Sequence, residues 1–175
     1  LLAHPQVSFH VRWDEKDRES FPAAVDREAR LRQLISPKTP DEVQLLSFSM
    51  TYEGSTVSGL LSPQGQRPQA SKIQALVCNG RWFEDRSLHQ ALARAMAPLW
   101  AQGESGHYVL CLDVPADQVD VNVHPQKTTL KFEKMGLLFG LLGQGVEAAR
   151  AQIAPAPEPE ARPTHAWVSG LSSLM

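Results

Sequence analysis

The sequence has little cysteine and no long apolar run. Its 175 residues include only two cysteines, Cys78 and Cys111, each inside an apolar stretch. This usage favours a reducing compartment and argues against a disulfide framework or a cysteine-rich zinc site. No apolar stretch approaches the roughly 20 residues that span a bilayer, and the start lacks both a basic leader and an initiator Met. We therefore expect a cytoplasmic piece of a larger protein with no membrane partner.

A strong charge imbalance is also missing. Lys and Arg number 17 against 19 Asp and Glu, which gives a formal net charge of -2. The total charge therefore does not indicate a nucleic-acid partner, and any basic surface must be local. With 42% hydrophobic and 21% charged residues, the composition is that of a globular domain with a sizeable core. This composition excludes a disordered tail or a collagen-like rod.

Motifs for common catalytic and cofactor chemistry are absent or out of context. Neither a G-x-S-x-G elbow nor a G-x-x-x-x-G-K-[ST] phosphate loop occurs. Asp120, Asn122 and His124 share one strand face but offer too few ligands for a metal, so no metal is predicted. Residues 143 to 148 match the dinucleotide fingerprint formally, yet a Pro-rich linker follows them almost at once, where the motif requires a βαβ unit. Their glycines are better interpreted as allowing a helix to lie close to a sheet.

Hydrophobic periodicity predicts an α+β domain. Alternating patterns predict strands, and three- to four-residue repeats predict helices. The predicted strands cover residues 7–13, a stretch around Phe21, 46–52, 57–61, 73–78, a stretch from Trp82, 108–114, 119–123 and 128–132. The predicted helices start at the N-caps Asp26 and Asp85 and, for the last, span residues 135–153. Residues 1–6 are expected to end a helix that begins upstream, and residues 154–175 to start with a Pro/Ala-rich linker. Helices should cover mainly one face of the sheet.

Two segments are not explained by folding alone. In residues 117–127 a strand leads to a turn fixed by Pro125, which would hold Lys127 on a rigid elbow suited to phosphate recognition. In residues 79–86 the pair Asn79-Gly80 suits a tight hairpin turn that presents Arg81. Arg86 would lie in the first turn of a helix, where a cation opposes the helix dipole, so it does not serve helix stability alone.

At these two segments the sequence resembles the MutL family of DNA mismatch-repair proteins. DQVDVNVHPQKTTLKF, residues 117–132, is similar to the signature at the end of the family's amino-terminal region. VCNGRWFEDRSLHQAL, residues 77–92, is similar to its second recurrent block, and the spacing of the two blocks agrees. Residues 7–62 match only in element order and turn placement.

The resemblance implies a transducer domain over residues 7–153, with the fold of the second domain of a small-subunit ribosomal protein. It implies that residues 1–6 end a helix of a preceding ATPase domain of the GHKL class. By itself, this fragment would then lack a complete set of catalytic residues and would bind no cofactor. The longer protein would bind ATP and Mg²⁺, hydrolyse ATP and form a homodimer. In the bacterial cytoplasm, at the nucleoid during repair, it would work with a MutS-like mismatch sensor.

The resemblance also implies roles for individual residues. Lys127 matches the family's lysine that contacts the γ-phosphate of ATP, on a turn shaped by Asn122, His124 and Pro125. Arg81 and Arg86 match basic positions along a groove proposed to hold DNA, and Arg94 is a neighbouring cation. Glu84 departs from a frequently basic position. We therefore expect weak and non-specific DNA binding.

Two alternatives remain open from the sequence. A related transducer domain occurs in type II topoisomerases and in GHKL heat-shock chaperones, also with a lysine-bearing loop; VNVHP followed by a lysine discriminates against them. The other alternative is a pure protein-interaction module whose basic residues are merely solvated. Direct DNA-binding measurements separate that module from the DNA-binding interpretation.

Overall fold

The computed structural model describes residues 2–13, 17–36, 40–120 and 129–153. Within them lie nine strands, three α-helices and two 3₁₀ turns at Pro40–Glu42 and Ala116–Gln118. The strands are β1 Phe9–Trp13, β2 Asp17–Phe21, β3 Leu46–Tyr52, β4 Ser55–Leu61, β5 Gln74–Cys78, β6 Arg81–Phe83, β7 Tyr108–Asp113, β8 Val119–Asp120 and β9 Lys131–Phe132. The helices are α1 Arg27–Ile35, α2 Arg86–Ala95 and α3 Met135–Arg150. The α+β class predicted from the sequence is confirmed at this level.

A five-stranded mixed sheet forms the centre of the domain. Its strand order is β3-β4-β7-β5-β6, so β3 and β6 are the edge strands. The β3–β4 hairpin turns at Glu53 and Gly54, whose φ angles of 46° and 76° suit the predicted tight turn. β5 and β7 run parallel, with Cys78 paired to Leu112 at the end of their register. The parallel pair brings residues that are more than 30 positions apart in the chain side by side.

Helices cover both faces of this sheet. α2 and α3 pack over one face, where Leu88, Leu92, Leu138 and Leu142 join the main core. α1 lies on the other face, where Leu31 packs with Val77 and its neighbours. The expectation that helices cover mainly one face therefore holds for the two longer helices, and α1 departs from it. Successive side chains of the central strands point to opposite faces of the sheet and are apolar on both. Each face must therefore be covered by a helix.

No helix is observed at residues 2–6, where we expected the end of one. Instead, the segment is tied to α1 by Arg30, which has no exposed surface. The Arg30 Nη2 donates to the carbonyls of Pro5 and Val7, each at 2.7 Å. An arginine in a helical repeat was not expected to be buried. Its position is set by backbone carbonyls from a segment that lies 23 to 25 residues earlier.

One α3 glycine, Gly145, meets the sheet closely. A Cβ built on Gly145 would lie 2.1 Å from the Phe48 ring, whereas Gly136, Gly140 and Gly143 have nothing within 4 Å. The interpretation of these glycines as a close helix–sheet contact is therefore correct for Gly145 and wrong for the other three. Phe48 is held on its second side by Gly59, whose added Cβ would approach the ring to 2.3 Å.

Candidate nucleic-acid interface and phosphate-contact segment

The Asn79-Gly80 turn forms as predicted, between β5 and β6. Both residues have positive φ, at 49° and 77°, the conformation that this pair tolerates in a two-residue hairpin turn. The Asn79 side chain does more than permit the turn. Its Nδ2 donates to the Val114 carbonyl and its Oδ1 accepts from the Val114 N–H, each at 2.9 Å. Asn79 thereby fastens the turn to the chain that leaves β7.

Arg81, Arg86 and Arg94 are all exposed. Arg81 starts the edge strand β6, Arg86 starts α2, and Arg94 lies in the last turn of that helix. At 1.5 Å per residue, Arg86 and Arg94 are about 12 Å apart along the helix axis. Both lie on the side opposite the buried Leu88 and Leu92.

The three arginine side chains form no ion pair or hydrogen bond with any described residue. We call Arg81, Arg86 and Arg94 the arginine surface. Exposed guanidinium groups without a described partner bind a phosphate at little cost in free energy, because no existing interaction has to be broken first. The arrangement can therefore bind a polyanion electrostatically.

Two acidic residues lie beside this surface. Asp85 is the N-cap of α2, and its Oδ1 accepts from the Leu88 N–H at 2.9 Å, as the sequence predicts. This carboxylate is committed to the helix start, where it offsets the unfavourable position of Arg86. Glu84 is exposed and has no such task. Its charge opposes an approaching polyanion, in line with the expectation of weak binding.

The segment that carries the predicted phosphate contact is bracketed by a short antiparallel ribbon. β8 and β9 pair Val119 with Phe132 and Asp120 with Lys131. Phe132 is buried and meets the Phe83 ring of β6 edge-on, with centroids 5.6 Å apart. Lys127, Asn122, His124 and Pro125 lie outside the described residues, so their predicted roles stay predictions. The stems on either side are described, and both lie in contact with the core.

The block at residues 77–92 therefore contacts the other block and the residues just before it. Phe83 packs against Phe132 of the block at residues 117–132, and Asn79 binds Val114, three residues before that block. Sequence reasoning did not predict either contact, because each depends on the position of β5 beside β7. The only signal was that both blocks contain polar residues without a folding role.

The two thiols belong to the core. Burial, with a smaller contribution from Asp113, raises the pKa of Cys78 to about 11. Burial also raises the pKa of Cys111, and Arg27 partly offsets this. Both thiols remain protonated near neutral pH and are poor nucleophiles or metal ligands. Within the described ranges, no three His, Cys, Asp or Glu side chains converge so as to hold a metal ion.

Two histidines are held in neutral form by their surroundings. Burial, followed by the nearby Lys72, lowers the pKa of His107. Its Nδ1 accepts from the Ile73 N–H at 3.1 Å, and its Nε2 lies 2.8 Å from the Gln66 amide nitrogen. Burial lowers the pKa of His89 as well, against the opposing effect of Asp85 and Glu84. His89 contacts the hydroxyl of the buried Tyr108 through Nδ1. Both histidines serve packing.

Lys72 and Trp82 differ from what the sequence suggests. Residues 67–100 contain five Lys or Arg against two acidic residues, a local basic excess in the sequence. Lys72 is one of the five, but its ammonium donates to the carbonyls of Arg67 and Pro68. Trp82 is 50% exposed on the edge strand β6, and sequence reasoning gave it no functional role. Because side chains alternate along a strand, Trp82 lies on the face opposite Arg81 and Phe83. The available signal was a large aromatic between two arginines at a sheet edge.

The comparisons with known proteins define the class of this domain. Residues 35–151 match the family described as "DNA mismatch repair protein, C-terminal domain". The chain is 30% identical to the DNA mismatch repair protein MutL of Shewanella woodyi, over 89% of this chain and 25% of the relative. It is 31% identical to MutL of Phenylobacterium zucineum, over 97% of this chain and 31% of the relative. The chain belongs to the MutL family of DNA mismatch-repair proteins.

A solved structure supports the fold. The chain is similar to the crystal structure of an N-terminal domain of a DNA repair protein, with a TM-score of 0.55 at 12% identity. The match covers 86% of this chain and 50% of that one. The family match decides between the two GHKL-type resemblances in favour of mismatch repair over a type II topoisomerase or chaperone.

No helix in the described parts of the chain is long and apolar enough to cross a membrane.

Proposed function

We propose that this chain is the transducer domain of a MutL-type mismatch-repair ATPase. Residues 7–153 would form the domain, residues 1–6 its connection to a preceding GHKL ATPase domain, and residues 154–175 a linker. The chain spans 25% to 31% of the length of the two relatives named above, so such proteins have ample length for further domains. The domain couples nucleotide state upstream to contacts with DNA and a MutS-like mismatch sensor.

The arginine surface is the observation that carries the DNA-binding part of this proposal. Three exposed cations without described partners lie along one edge strand and the helix that follows it. The span of about 12 Å between Arg86 and Arg94 corresponds to three or four phosphates at about 3.4 Å of axial rise per strand. Contact with only two or three phosphates gives weak binding without sequence preference, because no base edge is read.

The salt dependence of DNA binding tests this surface. Fluorescence anisotropy of a labelled duplex with the whole chain should give a log-log salt slope of roughly -2 to -3, as about three neutralised phosphates predict. Arg86→Glu should weaken binding more than any other single change and make the slope shallower by about 1. Lys134→Glu is the matched control, because Lys134 pairs with Glu53 at the turn of the β3–β4 hairpin. An unchanged affinity and slope in Arg86→Glu would favour a pure protein-interaction module.

The nucleotide part of the proposal concerns Lys127. In a protein with the upstream domain, the Lys127 ammonium contacts the γ-phosphate of ATP, and the turn with Asn122, His124 and Pro125 holds it in place. The ribbon of β8 and β9 supports this role, because its stems are packed on the core and reduce the ordering cost of the contact. Hydrolysis removes the γ-phosphate, so the contact distinguishes ATP from ADP and biases the angle between the domains.

The chain alone is then not an enzyme. A single lysine without a cradle of backbone amides and Mg²⁺ cannot hold a triphosphate. We expect ATP and Mg²⁺ to bind the upstream domain of the full-length protein, which forms a homodimer and hydrolyses ATP in the bacterial cytoplasm. Calorimetry on the present chain should detect no ATP binding. Millimolar or tighter binding that Lys127→Ala abolishes would contradict this.

A further inference from the structure

A preformed groove lies where α3 ends. It has a volume of about 820 Å³, and apolar side chains from four parts of the chain line it, including Val43, Leu45, Leu99 and Ile153. Peptide and small-molecule sites commonly have volumes of roughly 300 to 1,000 Å³ and apolar linings. The groove is therefore large enough for a bulky aromatic side chain and its neighbours.

Both walls of the groove are fixed by hydrogen bonds. On one side Arg32 of α1 donates to the Val43 carbonyl. On the other, the Trp100 indole N–H donates to the Ser62 carbonyl at 3.1 Å, and the Ser62 N–H donates to the His107 carbonyl at 2.8 Å. A ligand would pay little to order these walls, because folding has already ordered them.

The described part of the chain ends at this groove. Gln152 and Ile153, the last described residues, both line it. Their position is set by Gln152, whose Nε2 donates to the Ser47 carbonyl at 2.9 Å, and by Arg150, which donates to the Ala95 carbonyl at 3.2 Å. Residue 154 therefore follows directly from a residue that lines the groove. Any segment among residues 154–175 is present near the groove at high effective concentration.

Apolar side chains larger than Ala or Pro occur in residues 154–175 only from Trp167 onward, and Trp167 is the largest of them. Residues 154–163, APAPEPEARP, contain no apolar side chain larger than Ala or Pro. Trp167, Val168 and Leu171 follow in a stretch without Asp, Glu, Lys or Arg. The 13 residues between Ile153 and Trp167 reach about 40 Å in the extended polyproline II conformation that a Pro-rich segment favours, so one reversal of direction within them spans the distance back to their start. This is sufficient for the segment to turn back to the groove.

We propose that residues 164–171 of this chain dock into the groove beside Ile153, with Trp167 as the anchor. The docked segment covers Val43, Leu99 and Ile153, of which Ile153 is 37% exposed. An aromatic anchor buries 150 to 250 Å² and so supplies most of the free energy of such a contact. The linker is thereby shortened to a loop, which fixes the point from which any downstream segment starts. This inference does not depend on the proposed function.

Disulfide trapping in the whole chain tests the docking. Gln44 is exposed and lines the groove, so Gln44→Cys with Val168→Cys should form an intrachain disulfide under mild oxidation. The native thiols are buried and remain protonated, which limits their interference. Adding Trp167→Ser keeps the tether and both cysteines, and we expect it to slow trapping at least fivefold. A second pair, Gln90→Cys with Val168→Cys, places the cysteine on the exposed side of α2 and should trap slowly with or without Trp167.

Each other outcome overturns the proposal. Equal trapping rates with and without Trp167→Ser would show tethering without docking. If Trp167→Ser slowed the trapping of the Gln90 pair as much as that of the Gln44 pair, the contact would lie outside the groove. Disulfide-linked dimers whose yield rises with protein concentration would mean that the groove takes the segment of a second copy. Circular dichroism melting of each variant verifies that the fold is retained, and the described positions Gln44 and Gln90 are both exposed.

Discussion

Asn79 and Val114 are joined by two reciprocal hydrogen bonds of 2.9 Å, from Asn79 Nδ2 to the Val114 carbonyl and from the Val114 N–H to Asn79 Oδ1. The pairing lies one residue beyond Cys78, the last paired residue of β5, and two residues beyond its partner Leu112 on β7. It links the turn that presents Arg81 to the chain that leads into the phosphate-contact segment. In the proposed function, a change in the orientation of the phosphate-contact segment therefore also moves the turn that presents Arg81.

Replacing Asn79 tests this link. Asn79→Ala removes both side-chain bonds and places Ala, which tolerates a positive φ less well than Asn, in the left-handed region, so the free energy of unfolding should fall by about 2 to 4 kcal/mol. Asn79→Gly keeps the turn conformation but still loses the bonds, and should cost about 1 to 3 kcal/mol. Urea denaturation of both variants measures the difference. Wild-type stability in Asn79→Gly would mean that the bonds to Val114 contribute nothing.

Gly145 and Gly143 offer a matched pair within α3. Gly145→Ala drives a methyl group into the Phe48 ring, which is already fixed by Gly59, and overpacking of this kind costs about 1 to 3 kcal/mol. Gly143→Ala meets no atom within 4 Å and should stabilise by about 0.5 to 1 kcal/mol through helix propensity. Opposite shifts in melting temperature are expected. Equal shifts of the same sign would mean that α3 does not approach Phe48 as described.

Stability should fall on mild acidification because of His107 and His89. Their pKa values are lowered in the fold, chiefly by burial, so below about pH 6.5 the unfolded chain takes up protons that the folded chain does not. The melting temperature should therefore fall as pH drops from 7.5 through 6.5 towards the lowered pKa values. His107→Asn can keep an acceptor for the Ile73 N–H without titrating, and should lessen this fall. An identical pH dependence in wild type and His107→Asn would contradict the role given to His107.

The local elements were predictable because their signals are short in range. Asp26 and Asp85 cap α1 and α2 through Ala29 and Leu88, three residues on, and each pattern is visible in the sequence. The β3–β4 hairpin follows from alternation and from Glu53-Gly54. The parallel pairing of β5 with β7 was not predictable, since it depends on long-range contacts. The same limit concealed the Asn79–Val114 link, the buried Arg30, the placement of α1 on the second face and the contact of Gly145 with Phe48.

The candidate site was predictable only in part. Arg81, Arg86 and Arg94 were chosen from resemblance and from turn and helix positions, and the structure places all three on the surface. Their DNA contact remains a prediction. Composition alone counted Lys72 as part of the same basic excess, but it is tied to loop carbonyls. A charge count cannot show which cations are already committed.

ATP turnover of a protein that includes the upstream domain tests the central claim, that nucleotide state is sensed through Lys127. A charge-assisted hydrogen bond contributes about 1.5 to 3 kcal/mol, so Lys127→Ala should slow turnover roughly ten- to a hundredfold with an unchanged melting temperature. Lys131→Ala is the matched control, because Lys131 is an exposed lysine on the same ribbon, and its turnover should stay near wild type. An unchanged rate in Lys127→Ala, or an equal loss in Lys131→Ala, would contradict the phosphate contact.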